Sequence, residues 1–299
     1  MTTAPRPNID TPRGFAFALT AYLLWGFLPL YMKALSHIPT LEVLAHRVIW
    51  SVPLALIILT VLGRTAELRA ALKSPRMLVM GAVTAALISM NWGIYVYSIQ
   101  TGHALEAALG YYINPLFSVF LGAVLIKERL SLPQKLAIAL AAGAVGFLTW
   151  QVGKLPIVAL GLTVTWGFYA YFKKMLPIGP NQGFTLEVLL LLPFALGYAL
   201  WMGARGEAVF LNGALSDNLL LMGCGVITAV PLMIYANGAK LLKLSTIGIL
   251  QYIAPTMIFL TAVFWFGEPF DSARLIAFVL IWAALVIYTT SLIRQARRA

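Results

Sequence analysis

Charge is scarce in this chain. Of its 299 residues, 10% are Asp, Glu, Lys or Arg, where a soluble domain carries roughly 25%. Hydrophobic residues make up 61% and mean hydropathy is +0.88. A soluble fold of this size has no way to hide so much apolar surface. A soluble enzyme, a disordered chain and a disulfide scaffold are therefore excluded, and the solvent for most of the chain is lipid. Cysteine is almost missing. Cys224 stands alone in an apolar run, cannot form an internal disulfide and says nothing about redox compartment. Catalytic and nucleotide motifs are missing too. There is no G-x-x-x-x-G-K-[ST], so ATP does not drive the protein directly. There is no G-x-S-x-G and no H-E-x-x-H, and His37, His46 and His103 show no metal-ligand spacing. No enzyme activity, catalytic residue, metal or cofactor is expected. A secretory signal is missing as well: residues 1–13 are polar and proline-rich, and the first apolar run ends without a small-residue cleavage site.

What is present is a series of long apolar runs. A helix needs roughly 20 mostly apolar residues to cross a bilayer. Ten stretches qualify, at 14–34, 41–63, 77–100, 104–126, 133–151, 156–174, 184–203, 218–240, 244–266 and 273–293. They are unbroken rather than alternating, which excludes the strands of a β-barrel. The fold class expected is an all-α integral membrane protein of ten transmembrane helices.

The net charge of +11 would suggest nucleic acid in a soluble protein. Here its placement explains it. With loops numbered alternately, sixteen Lys and Arg fall on one side, among them Arg13, Arg64, Arg69, Lys73, Arg76, Lys127, Lys173, Lys174 and Arg294. Four fall on the other, Lys33, Lys154, Arg205 and Arg274, and Arg47 stays inside a span. Cytoplasmic loops carry the excess of Lys and Arg. The asymmetry predicts both termini in the cytoplasm and a bacterial-type inner membrane, and it leaves nothing for nucleic acid to explain. Membrane lipid and a small-molecule substrate are the expected partners, with no obligate protein partner evident.

The two halves echo one another. GYYINPLFSVFLGAVLIKERL from Gly110 matches LQYIAPTMIFLTAVFWFGEPF from Leu250, pairing Tyr112 with Tyr252, Pro115 with Pro255 and Glu128 with Glu268. Trp25-Gly26-Phe27 matches Trp166-Gly167-Phe168, and Leu-Glu-Val-Leu occurs at 41–44 and 186–189. Five helices per half is an odd number, so the second half enters the membrane in the opposite sense. This predicts two inverted five-helix repeats, an architecture of many secondary transporters. The expected organisation is a mobile tail over 1–13, a first repeat over 14–151, a second over 156–293 and a basic tail over 294–299.

HRVIWS at 46–51, Asn91-Trp92, GYYINP at 110–115, Lys127-Glu128-Arg129 and QYIAPT at 251–256 resemble the RarD branch of the drug/metabolite transporter superfamily. The halves resemble its EamA-type repeats, over nearly the whole chain. The resemblance implies a ten-helix exporter of small metabolites, similar to YddG-type amino-acid exporters. The alternative it implies is a multidrug or chloramphenicol-type efflux permease.

Sites in such folds lie near mid-depth between the repeats. Counting about 1.5 Å per residue, Trp25, Trp166, Asn91, Asn114, Pro231 and Pro255 fall near the centres of their helices. Tyr95, Tyr111, Tyr169, Tyr235 and Tyr252 are candidates for stacking or hydrogen bonding. Asn237 and Gln251 are candidates because amides facing lipid are costly. Arg47 is an expensive intramembrane cation. Its fork suits a substrate carboxylate, and the other readings are snorkelling to the interface or pairing with Glu42 or Glu106. Pro115, Pro231 and Pro255 are expected to kink their helices, and the carbonyls they free are possible contacts for a substrate ammonium group. Glu106 is a candidate for proton coupling or an interfacial ion pair. Glu128 and Glu268 read as structural or gating pairs. Glu187 is expected to meet interfacial lysines, and Gly143-Ala144-Val145-Gly146 with the other small residues at 137–146 to mark close packing of the fifth span, within the chain or between protomers. The leading function is export of amino acids or similar small metabolites by alternating access, with a channel or scaffold as the other class.

Overall fold

A computed structural model describes residues 11–125, 127, 130–238, 241–242 and 244–298. Residues 1–10 of the expected tail, Glu128, Arg129, Lys240 and Lys243 lie outside this set. All elements found are helices: α1 Pro12–Ala34, α2 Thr40–Val61, α3 Thr65–Leu72, α4 Pro75–Gln100, α5 Ala104–Leu125, α6 Leu132–Val152, α7 Ile157–Met175, α8 Pro180–Ala204, α9 Leu215–Gly238, α10 Leu244–Leu250, α11 Ile253–Leu260, a π-helical turn π1 Thr261–Trp265, and α12 Ser272–Arg298. Among the described residues eight helices are long and apolar enough to cross a membrane. The 19-residue α7 and the pass made by α10, α11 and π1 bring the count to the expected ten.

Local chemistry sets the ends. Thr11 accepts a hydrogen bond from the Gly14 amide at 3.0 Å, with Pro12 opening α1. Ser74 receives the Met77 amide at 3.4 Å in front of Pro75. Gln134 reaches back to the Ser131 amide at 2.9 Å to open α6. Such side chains satisfy amides that have no partner within the first turn, and proline loses nothing there. Helix α1 starts at Pro12, two residues before the expected span, and α12 extends to Arg298, past residue 293.

Three further points differ from the sequence reading. Helix α3 occupies what reads as a basic loop, burying Leu68 and Ala71 against Leu59 and Leu186. The ninth span is not continuous: it breaks between α10 and α11 at Gln251 and Tyr252, and loosens to π geometry at Thr261. On α6 the close packing expected of the small residues at 137–146 falls on Ala137, Ala141 and Ala144, while Gly143 and Gly146 of that stretch face open space.

Packing follows one pattern in both halves. Helix α1 lies on α9 as α7 lies on α4, α2 on α9 as α8 on α4, and α5 on α7 as α11 on α1. Helices α2 with α8, α5 with α11 and α6 with α12 meet across the halves. Exchanging the halves maps each of the first six contacts onto its counterpart and each of these three onto itself, as a two-fold relation requires. Glycines allow the closest approaches. A Cβ on Gly225 of α9 would run into the Trp50 carbonyl of α2, and one on Gly110 of α5 would sit 2.7 Å from the Ala159 oxygen next to the start of α7's ladder. Small residues of this kind bring membrane helices within van der Waals reach of each other's backbones.

Candidate functional site

Arg47 lies seven residues into α2, about 10 Å from its start, and is 3% exposed. Its Nε donates to Thr228 Oγ1 on α9 at 3.1 Å. Its guanidinium stands 4.7 Å from the ring centre of Trp92 on α4, a cation–π contact. Tyr95 on α4, Tyr111 on α5 and Cys224 on α9 lie within range of its charge. Nη1 has no partner, and neither does the Tyr95 hydroxyl, although both atoms are buried. The Tyr95 and Tyr111 rings are 5.8 Å apart. Four helices, three from the first half and one from the second, thus enclose one cation with an unused donor. Arg47 pairs with neither Glu42 nor Glu106, and it does not snorkel.

Its neighbour His46 points elsewhere. Trp50 Nε1 donates to His46 Nδ1 at 3.1 Å, and the imidazole packs on Phe210 at 4.4 Å. Adjacent helical residues do not share a face.

The other expected site residues fall into separate groups. Asn91 uses its Nδ2 on the Leu162 carbonyl at 3.1 Å and Thr165 Oγ1 at 2.9 Å, which ties α4 to α7. Asn114 is buried with its Oδ1 unpartnered. Trp25 and Tyr235 form a three-ring cluster with Tyr22, centroids 5.5 to 5.6 Å apart, beside α10. Asn237 turns its Nδ2 to the Met233 carbonyl of its own helix at 2.9 Å. Trp166 packs on Tyr169, whose hydroxyl donates to Glu187 at 3.3 Å. Lys173 donates to the same carboxylate at 2.6 Å, so Glu187 does meet a lysine. Gln251 and Tyr252 occupy the break before α11, and Tyr252 stacks on Tyr112 at 6.4 Å. Pro115 and Pro231 lie inside continuous helices, as do Pro29, Pro53 and Pro193. Pro255 stands in the first turn of α11, just after the break at Gln251 and Tyr252, where the missing amide would have had no partner in the helix.

At the ends of the bundle, carboxylates cap backbone amides. Glu268 follows Gly267, whose φ of +66° turns the chain back. Its two oxygens accept the Ala104 and Leu105 amides at 2.7 and 2.8 Å, at the start of α5. Glu106 sits in that same first turn, half-buried. Among the described residues no three His, Cys, Asp or Glu side chains gather as metal ligands. Two open clefts of about 370 and 380 Å³ lie away from Arg47, one at Arg64, Glu67 and Gln182, the other at Tyr252, Thr289 and Arg294.

Trp92 and Thr228 are missing from the sequence reading. Trp92 was legible, since it precedes Tyr95 by three positions and so shares its face. Thr228 was not, because nothing local marks which face of α9 meets α2.

Known proteins resemble this chain along nearly its whole length. The EamA-like transporter family matches residues 12–150. An uncharacterized transporter of Pseudomonas aeruginosa is 41% identical over 288 residues, covering 96% of each chain. The Escherichia coli protein RarD is 37% identical, over 97% of this chain and 98% of its own. A Pseudomonas aeruginosa relative named chloramphenicol-sensitive protein RarD is 32% identical over 96% and 98%. One solved crystal structure, 20% identical, superposes with a TM-score of 0.61 over 94% of this chain and 98% of its own, which shows a shared fold. The chain is thus a multi-pass membrane protein and no enzyme, and it belongs to the EamA-like transporter family, in the RarD branch of the drug/metabolite transporter superfamily.

Proposed function

We propose that this chain is a secondary transporter exporting amino acids, aromatic and large apolar ones included, or similar small metabolites across the bacterial inner membrane. It works by alternating access around a central site between two five-helix repeats, 14–151 and 156–293, with both termini cytoplasmic. The observation that carries the reading is the surroundings of Arg47. A cation this deep is expensive and faces a partner or a solute pathway. Its Nη1 and the Tyr95 hydroxyl are donors left open where helices of both halves meet. The rings of Trp92, Tyr95 and Tyr111 offer an apolar wall beside those donors. The interchangeable packing of the halves supports the mechanism, because two arrangements related by that exchange have similar energies. The ends of the bundle supply contacts to make and break: Glu268 on α5, Glu42 on the segment before α9, and Lys173 with Glu187 at the other end.

Counterflow in proteoliposomes tests this. Vesicles loaded with one unlabelled amino acid should take up labelled phenylalanine or leucine in a saturable exchange that falls at least tenfold in Arg47→Ala. Unsaturable conductance would instead make the protein a channel. The name of the chloramphenicol-sensitive relative favours one other reading, drug efflux. Flux of chloramphenicol with no exchange of any amino acid would establish that reading and overturn the first.

A further inference from the structure

The ion pairs among the described residues are His37 with Asp217, Lys173 with Glu187, Arg205 with Glu207 and Arg274 with Asp271. Arg47 is in none of them. The groups its charge reaches, Cys224, Tyr111 and Tyr95, are neutral at physiological pH, as are its direct partners Thr228 and Trp92. Of the two fully buried acids among the described residues, Glu42 accepts the Val209 and Phe210 amides at 2.8 and 2.9 Å through one oxygen, its other oxygen having no partner, and Glu187 holds Lys173. A buried guanidinium without an acid is uncompensated, and what completes it is an anion from outside the chain.

That arrangement says more than that a carboxylate binds. A zwitterionic amino acid brings an ammonium group with its carboxylate, and no carboxylate is among the groups that the Arg47 charge reaches. Held about 5 Å from the guanidinium at an effective dielectric of about 20, such a like charge lowers affinity by on the order of a hundredfold. Deaminated or N-acylated acids carry no such group. We infer that the Arg47 site selects organic carboxylates of net negative charge with an aromatic or large apolar body, and does not recognise an ammonium group. One carboxylate oxygen takes Arg47 Nη1 and the other the Tyr95 hydroxyl, the two buried donors left without partners. The Tyr95 and Tyr111 rings, 5.8 Å apart, cover the apolar body. Such rings distinguish this class from a small inorganic anion. The inference rests on the reading of this site as the substrate site.

The test uses three compounds of one size on the purified full-length protein: 3-phenylpropionate, phenylalanine and phenethylamine. Each is titrated by thermal unfolding in detergent, in chloride and in gluconate, with acetate as the small carboxylate. Each is then added as a competitor in counterflow. Phenylpropionate should half-saturate at a concentration at least tenfold lower than phenylalanine, and phenethylamine should give no shift. Arg47→Gln should abolish the ranking, and Arg47→Lys should keep it at weaker affinity. Tyr95→Phe should weaken phenylpropionate severalfold while leaving the unliganded unfolding temperature in place, which keeps the test open if the arginine variants do not fold. Equal or tighter binding of phenylalanine, binding of phenethylamine, an equal shift from chloride or acetate alone, or no shift with any compound would overturn the inference. Amino-acid exchange without anion preference would sink this inference and leave the transport reading standing. Tight phenylpropionate binding without exchange of any solute would do the reverse.

Discussion

Leu41-Glu42-Val43-Leu44 and Leu186-Glu187-Val188-Leu189 are the same tetrapeptide at corresponding places in the two halves, and their glutamates do different work. Glu42 is the third residue of α2 and caps two backbone amides, Val209 and Phe210, with one oxygen, leaving the other unpartnered. Glu187 is the eighth residue of α8, about 10 Å into its helix, and holds Lys173 and the Tyr169 hydroxyl. The difference comes from the helix starts. The stretch PNQGFT extends α8 ahead of the shared tetrapeptide, so its acid is carried down beside the last turn of α7, where a lysine projects. Helix α2 has no such extension, and its acid meets a loop. A repeated motif therefore fixes where a carboxylate lies along the chain, and the neighbouring element decides what the carboxylate does.

The comparison can be broken at either acid. Lys173→Met strands a buried carboxylate, and removing one partner of a buried pair costs about 3–5 kcal/mol. Thermal unfolding in detergent should show the largest loss of this set. Lys173→Met with Glu187→Leu should recover most of that loss, because an apolar pair of similar volume needs no compensation. An undiminished loss in the double variant would mean that Tyr169, rather than the ion pair, is what Glu187 serves.

At the other acid the loss is smaller. Glu42→Ala removes a charged acceptor from two amides, worth about 1.5–3 kcal/mol, and Glu42→Gln should retain most of the stability because its carbonyl still accepts. A Glu42→Gln loss as large as that of Glu42→Ala would show that the charge, not the acceptor geometry, holds the segment before α9.

The smallest effect is expected at the second pair of equivalent residues, Pro115 and Pro255. Pro115 sits inside a continuous α5, and Pro255 in the first turn after a break. Pro255→Ala should change stability by less than about 1 kcal/mol, since no intrahelical bond is regained there. Pro115→Ala restores an amide to a helix interior and should have the greater effect on exchange rate. Equal effects at the two would remove the distinction.

These residues also show which features were legible in advance. The apolar runs, the basic asymmetry and the motif strings pointed to a ten-pass transporter before any coordinates. Arg47 stood out because an unpaired cation in an apolar run is costly wherever the helix turns. The grouping of the site did not stand out. Asn91 is spent on α7, Trp25 and Tyr235 pack with Tyr22 beside α10, and Trp166 packs on Tyr169 of its own helix. Depth along a helix is set by residue count, whereas the face it presents is set by which helix packs beside it. Within the small-residue stretch of α6 the same holds: its alanines, not Gly143 and Gly146, join the core shared with α12.

By itself the sequence determined the solvent, the number of passes, the charged face and the family, because hydropathy, loop charge and motif strings are additive along the chain. Only the tertiary structure decided that Arg47 meets Trp92 and Thr228 instead of an acid, that Lys173 is the lysine Glu187 finds, and that the ninth pass breaks before Pro255. Those outcomes depend on contacts between helices far apart in the chain. In a medium that satisfies no polar group, such contacts decide which buried charges are paired with an acid and which are not.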